Sequence, residues 1–174
     1  MWTPPEKIYR WFPVVDDVCQ VHGVSQSLAL AIITVESSGD DKAYRVEPGY
    51  YSLYIEKNKK WRDLMTQNNW KWDDVACSYG LMQLMFPTAW MVGYRGSPTG
   101  LYKPRANIDC GIKYIAQLID KYFGCKHAAL AHYNGGSTGA KQYYNGVDAR
   151  PTRYARKAMD YYDRYRNYHL NNRR

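Results

Sequence analysis

Glu36 is the residue whose surroundings promise chemistry. It closes the run Ala29-Leu30-Ala31-Ile32-Ile33-Thr34-Val35. A carboxylate held against that surface loses hydration, which disfavours its charged form. At the C-terminus of a helix the macrodipole adds negative potential. Both effects favour the neutral acid, and an acid kept protonated near neutral pH can protonate a leaving glycosidic oxygen. The bland alternative is a last-turn glutamate pointing into water, the usual fate of charged groups at helix ends. Glu47, Asp40, Asp41, Asp73 and Asp74 are candidate second carboxylates, although most such groups are simply solvated. One of them lying about 6.5 to 9.5 Å from Glu36, with a water between, would turn the chemistry to hydrolysis with inversion. His22, His127, His132 and His169 show no H-E-x-x-H or Cys/His spacing, so neither a metal nor another cofactor is expected.

The elements that must hold Glu36 read as helices. Thr3-Pro4-Pro5-Glu6 has the form of a helix start: a Thr cap, Pro at the first helical position and Glu three residues after the cap. Pro13 breaks or kinks that helix. Val14, Val15, Val18 and Val21 follow at helical spacing up to Gly23. Ser25 is a good N-cap for a helix over 26–37, apolar nearly all round and therefore buried, which Gly39 ends. Residues 40–79 mix lysines with many tyrosines and tryptophans at no dominant period, which predicts an irregular inserted lobe with one or two short helices. Leu81 to Met85 is a short apolar segment, Pro87-Thr88-Ala89 opens another helical turn, and Gly93 to Pro104 is a loop. Asn107 then caps a periodic helix carrying Ile108, Ile112, Ile115, Leu118, Ile119 and Tyr122, closed by Gly124. A short helix over 126–133 ends at Asn134-Gly135-Gly136. A last helix over about 152–168 repeats Tyr154, Ala158, Tyr161, Tyr165 and Tyr168 on one stripe. No strand set and no internal repeat is apparent. The fold class is all-α or nearly so, in one domain of 174 residues.

Read in order, five short elements form a pattern. They are Glu36-Ser37-Ser38-Gly39; Gly80-Leu81-Met82-Gln83 with Pro87-Thr88-Ala89; Asn107-Ile108 with Gly111 and Tyr114; Ala131-His132-Tyr133-Asn134-Gly135-Gly136; and Thr152-Arg153-Tyr154. The set resembles the catalytic domain of the soluble lytic transglycosylases, relatives of goose-type lysozyme. The resemblance covers about 12–37 and 78–165 and leaves out the aromatic segment between. Arg45-Val46-Glu47-Pro48 with the tyrosines after it resembles an insert of some phage-encoded members. Phe86 departs from the pattern by standing between Met85 and Pro87, and His132 by standing where the family often has Ala.

The resemblance implies a lysozyme-like helical fold acting on peptidoglycan glycan strands. Glu36 would be the catalytic acid/base, cutting between N-acetylmuramic acid and N-acetylglucosamine with help from the substrate's own N-acetyl group, and leaving a 1,6-anhydro end. That assistance is why one carboxylate suffices where two are usual. Ser37 and Gln83 would orient Glu36 or bind sugar amides and hydroxyls. Gly80 would let the backbone approach the sugar, Met82 belongs to the same element, and His132, Tyr133 and Asn134 would line the cleft. Tyr154 would hydrogen-bond the catalytic carboxylate. Read singly, Gln83 could be a surface amide and Tyr133 a core tyrosine with a satisfied hydroxyl.

Composition bounds the setting. Hydrophobic residues make up 45% of the chain, which places it among globular rather than disordered proteins. The first ten residues lack the basic-then-apolar layout of a secretory signal, so a cytoplasmic protein, or one leaving without such a signal, is expected. That setting suits a phage endolysin or virion lysin, or a bacterial secretion-system enzyme. Cys19, Cys77, Cys110 and Cys125 form no C-x-x-C pair, and reduced, buried thiols are favoured over two disulfides. The formal net charge is +8. Its concentration from Arg150 onward fits docking on an anionic wall or membrane surface, or else a solvated face over a tyrosine contact. The aromatics of 44–79 suit a small core of their own, with one or two rings left for sugar stacking. A monomer is expected. Two other function classes compete: a basic nucleic-acid-binding module, disfavoured because no binding motif is present, and a non-catalytic wall-binding scaffold.

Overall fold

The computed structural model describes residues 2–172. Its elements run α1 (Glu6–Tyr9), α2 (Phe12–His22), α3 (Gln26–Ser37), β1 (Tyr44–Val46), α4 (Pro48–Tyr50) continuing into a π-helical turn at Tyr51–Ile55, α5 (Lys59–Asn68), α6 (Trp72–Val75), β2 (Cys77–Tyr79), β3 (Leu84–Met85), α7 (Phe86–Met91), a 3₁₀ turn at Pro98–Tyr102, α8 (Pro104–Lys121), α9 (Lys126–Tyr144) and α10 (Arg150–Asn172). The chain divides into two compact units. One joins the residues up to Gly39 with those from Ile112 onward, and the other is Asp40–Gly111.

In the first unit α3 is the central element. Leu28 to Ile33 are buried without exception, as a helix apolar all round requires. α2 and α10 pack on α3, and α10 also runs along α9. The tyrosine stripe of α10 faces inward: Tyr154, Ala158 and Tyr165 are buried. Thr34 Oγ1 donates to Leu30 O at 2.7 Å and shares a buried 2.7 Å hydrogen bond with the Tyr165 hydroxyl. This fastens α10 to α3 two residues before Glu36. α1 begins at Glu6 after Pro5 with no side-chain cap, so Thr3 is not the cap its position predicts. Pro13 sits in the first turn of α2, where a missing N–H costs nothing. α9 leaves helical geometry at Gly135 and Gly136, as predicted, but then resumes to Tyr144. The resumed turns are held by tertiary burial of Gly139 and Ala140, which no local signal announces.

The second unit contains an antiparallel sheet ordered β1-β2-β3, with Tyr44 opposite Tyr79, Val46 opposite Cys77 and Ser78 opposite Met85. The sequence shows no strand because segments of two or three residues are too short for alternation to register. The aromatics of this unit mostly pack on one another. Trp61 and Trp70 meet Phe86 at 6.0 and 5.1 Å between ring centroids, and both also meet Trp90. Phe86, one of the two residues that depart from the family pattern, is fully buried at the centre of this cluster. Tyr44 and Tyr54 are exposed. The four cysteines form no disulfide; Cys19, Cys77 and Cys110 are buried.

Candidate active site

Glu36 lies in the last turn of α3, half-buried where the buried run gives way to the surface. The helix stops because Ser38 takes a left-handed conformation at φ 52° and Gly39 follows at φ 84°. The Ser37 hydroxyl donates to Ile33 O at 3.2 Å and accepts from Gly39 N at 3.2 Å. It therefore secures the helix end that carries Glu36, acting through the backbone. Gly39 O in turn accepts from Arg10 Nη2 at 3.1 Å and Trp11 Nε1 at 3.0 Å, and the Arg10 guanidinium stacks over the Trp11 ring. A Cβ at Gly39 would come within 2.9 Å of Lys7 O. Thus the turn after Glu36 is clamped on the α1–α2 junction by residues that the sequence reading did not single out.

Tyr154 is 9% exposed. Burial pushes its phenol well above the ordinary value, and the neighbouring charges of Glu36 and Tyr133 push it further. Its hydroxyl is sealed from solvent and no well-formed hydrogen bond reaches it, although Glu36 is near enough to influence the proton both by charge and as a hydrogen-bond partner. The late tyrosine thus stands beside the candidate acid. Because its anion is so disfavoured, the phenol keeps its proton and can donate it to a hydrogen bond.

The Tyr133-Asn134 pair sits on α9 just before the glycine break. Tyr133 packs on Tyr114 with centroids 5.5 Å apart. Asn134 Oδ1 is buried and accepts from no donor in the protein, and Thr152 Oγ1 is likewise buried without a hydrogen-bond partner. A Cβ on Gly135 would strike Pro151 at 2.3 Å, so the break exists to let the start of α10 approach. His132 Nδ1 shares a 2.6 Å hydrogen bond with the Tyr122 hydroxyl. Burial, and then the charge of Lys121, lower its pKa from 6.5.

Gly80, Met82 and Gln83 belong to the second unit. Here their surroundings are structural. Gly80 has φ 64°, and a Cβ on it would lie 2.9 Å from Asn107 Nδ2 and 3.0 Å from Leu101 O. The close approach that needs a glycine is therefore made by the protein itself. Met82 corrects its assignment to substrate: the side chain is fully buried, and a Cβ on Gly111 would fall 2.4 Å from its sulfur. Gln83 has φ 44°, a left-handed backbone costing on the order of 1–2 kcal/mol for a residue with a Cβ. Its Nε2 offsets this by donating to Ala43 O and Gly80 O, both at 3.0 Å, which leaves Oε1 for other use. Asn107 is no cap. It lies inside α8, fully buried, accepting from Met82 N at 2.9 Å and donating to Tyr79 O at 2.7 Å. Its capping-like position in the sequence signalled importance, but for another job.

The basic surface of α10 is partly neutralised. Arg153 and Arg156 pair with Asp148, and Arg164 with Asp160. Among the described residues no group of three or more His, Cys, Asp or Glu is arranged to hold a metal ion.

Residues 16–155 match the family model of the transglycosylase SLT domain. The chain belongs to this family. The SLT domain is 26% identical over 139 residues to membrane-bound lytic murein transglycosylase C of Sodalis glossinidius and 25% identical to that of Serratia proteamaculans. In each case 76% of this chain aligns with 33% of the relative, so the chain spans about a third of these curated relatives. Among solved structures, the 70 kDa soluble lytic transglycosylase of Escherichia coli superposes with a TM-score of 0.63 at 20% identity, over 92% of this chain and 25% of that one. Its complex with bulgecin A gives 0.65 at 19% identity, over 90% and 24%. An inactive glutamate-to-glutamine mutant of lytic transglycosylase Slt from Pseudomonas aeruginosa gives 0.63 at 20% identity, over 89% and 24%. The SLT domain therefore has the helical, lysozyme-like fold that the motifs imply.

Proposed function

We propose that this SLT domain is a peptidoglycan lytic transglycosylase that cleaves the β-1,4 bond between N-acetylmuramic acid and N-acetylglucosamine with Glu36 as its one acid/base. The observation that carries the reading is the pairing of a half-buried Glu36, at the end of an apolar helix, with the buried Tyr154 phenol. The names of the relatives support the substrate, since each is a lytic murein transglycosylase. A glutamate-to-glutamine change accompanies loss of activity in the Pseudomonas protein.

Protonated Glu36 gives its proton to the bridging oxygen, and the bond from that oxygen to C1 of the muramic acid breaks. The oxygen of the substrate's N-acetyl group supports the positive charge at C1. Ionised Glu36 then removes the proton of the 6-hydroxyl while O6 bonds to C1. The ring closes to a 1,6-anhydro end, no water is consumed, and Glu36 is again an acid. Tyr154 contributes in the middle of this cycle. Its phenol keeps its proton, so it can donate to the Glu36 carboxylate only while that carboxylate exists. Tyr133 and Asn134 contact sugar from the α9 turn, with His132 beside them.

Zymography on purified murein, followed by mass analysis of the products, tests the reading. Wild type should release anhydro-muropeptides, and Glu36→Gln should leave the murein intact. Products heavier by one water per cut would make the enzyme an inverting hydrolase instead. Undiminished function in Glu36→Gln would make it a binding scaffold.

A further inference from the structure

Ser27, in the first turn of α3 and nine residues before Glu36, borders a cavity of about 670 Å³ in the first unit. At about 1.5 Å per residue the two points lie about 14 Å apart along the helix, so the cavity is separate from the Glu36 site. Its volume falls in the range of about 300–1,000 Å³ common for small-molecule sites. α2, α3 and α10 line it, with Asp16, Gln20, Ser25, Ser27, Tyr162 and Arg166 among the contributors.

Ser27 is only 6% exposed and lines this cavity, yet its hydroxyl makes no hydrogen bond within the protein. A helical serine ordinarily bonds back to the carbonyl four residues earlier, as Ser37 does. The Ser27 hydroxyl therefore turns its hydrogen-bonding capacity to the cavity it lines. The Ser25 side chain caps no N–H at the start of α3. The first-turn N–H groups thus add their positive dipole end to the same space. Arg166 brings a full positive charge with no carboxylate paired to it. Against these stands Asp16, a carboxylate held by Gln20 Nε2 at 3.0 Å. A lone anion would meet repulsion from Asp16, and a lone cation would meet it from Arg166. A ligand carrying both charges satisfies both groups.

We infer that this cavity binds a small dipeptide with both termini free. The carboxylate is taken by Arg166, Ser27 and the start of α3, the ammonium by Asp16, and the side chain lies along Tyr162. The inference goes beyond murein cleavage and does not depend on it, because binding can be measured with no glycan present.

The test is a titration of the ¹⁵N-labelled full chain with alanyl-alanine, followed by amide shifts. Parallel titrations use its N-acetylated form, its C-amidated form and inorganic phosphate. Saturable shifts are expected for alanyl-alanine at residues 23–27 and 162–170. Capping either end should weaken binding roughly tenfold or more, the scale of one lost charge-assisted contact. Arg166→Ala and Asp16→Asn should weaken it similarly, and both lie where folding is little affected. Absence of saturable shifts overturns the inference. So does equal binding of the capped peptides, or saturation by phosphate at the same amides, which would reduce the cavity to a simple anion site.

Discussion

The Glu36 region and the Gly80–Gln83 turn carry the two most distinctive motifs of the chain, yet they treat polar groups in opposite ways. Beside Glu36, the Tyr154 hydroxyl is buried without a well-formed partner, as is the Asn134 side-chain oxygen on α9. Around Gly80, the turn is stitched together: Gly80 N to Ala43 O, Gln83 Nε2 to Ala43 O and Gly80 O, and Asn107 to both Met82 N and Tyr79 O. Unmet polar groups in a buried place cost stability and persist where they serve a ligand or a reaction. Met groups of this kind stabilise. The first region is therefore built for chemistry and the second for rigidity, although a motif search weights them alike.

The largest effect that sharpens this contrast is loss of the acid. Glu36→Gln should lower murein cleavage about 10² to 10⁴-fold, the usual worth of acid/base catalysis, while thermal unfolding barely moves. A large fall in melting temperature would instead make Glu36 a structural residue. Asn107→Ala should do the reverse. It strands a buried N–H and a buried carbonyl, each worth about 1–3 kcal/mol, so a loss of roughly 3 kcal/mol is expected in chemical denaturation. A stability near wild type would break the claim that the second region is scaffold.

Tyr154→Phe comes next. Removing a hydroxyl that lacks a good partner should leave stability unchanged or slightly higher. Steady-state assays should show kcat falling roughly tenfold, or about 1.4 kcal/mol of transition-state stabilisation, with KM little changed. The smallest effect concerns His132. Burial and Lys121 hold its folded pKa below 6.5, so the unfolded chain takes up its proton first as pH falls. The stability it contributes is full above pH 6.5 and is lost on acidification through the folded pKa. His132→Gln should flatten that part of a stability–pH curve. A curve unchanged by the substitution would assign the slope to other groups.

How legible these regions were follows from the range of the forces involved. The α3 helix and the position of Glu36 are written in a continuous apolar run, which only burial can satisfy. The glycine break in α9 was legible too, because Gly135-Gly136 is a local signal. The roles of Asn107 and Met82 were not. Asn107 has the form of a cap, but its two hydrogen bonds reach residues 25 and 28 positions away. Met82 shares an element with Gln83, yet one side chain fills the core and the other clamps the turn, as decided by the left-handed φ at Gln83. Arg10 and Trp11, which secure the turn after Glu36, leave no mark in the sequence because their acceptor is a backbone carbonyl.

By itself, then, the sequence determined the helical class, the buried helix, the acid at its end and the family pattern, since each rests on residues close together in the chain. Only the tertiary structure decided which polar groups would be satisfied by the protein and which left over. That choice depends on side chains from α3, α9 and α10 converging on one place, and convergence is a property of packing, not of spacing along a chain.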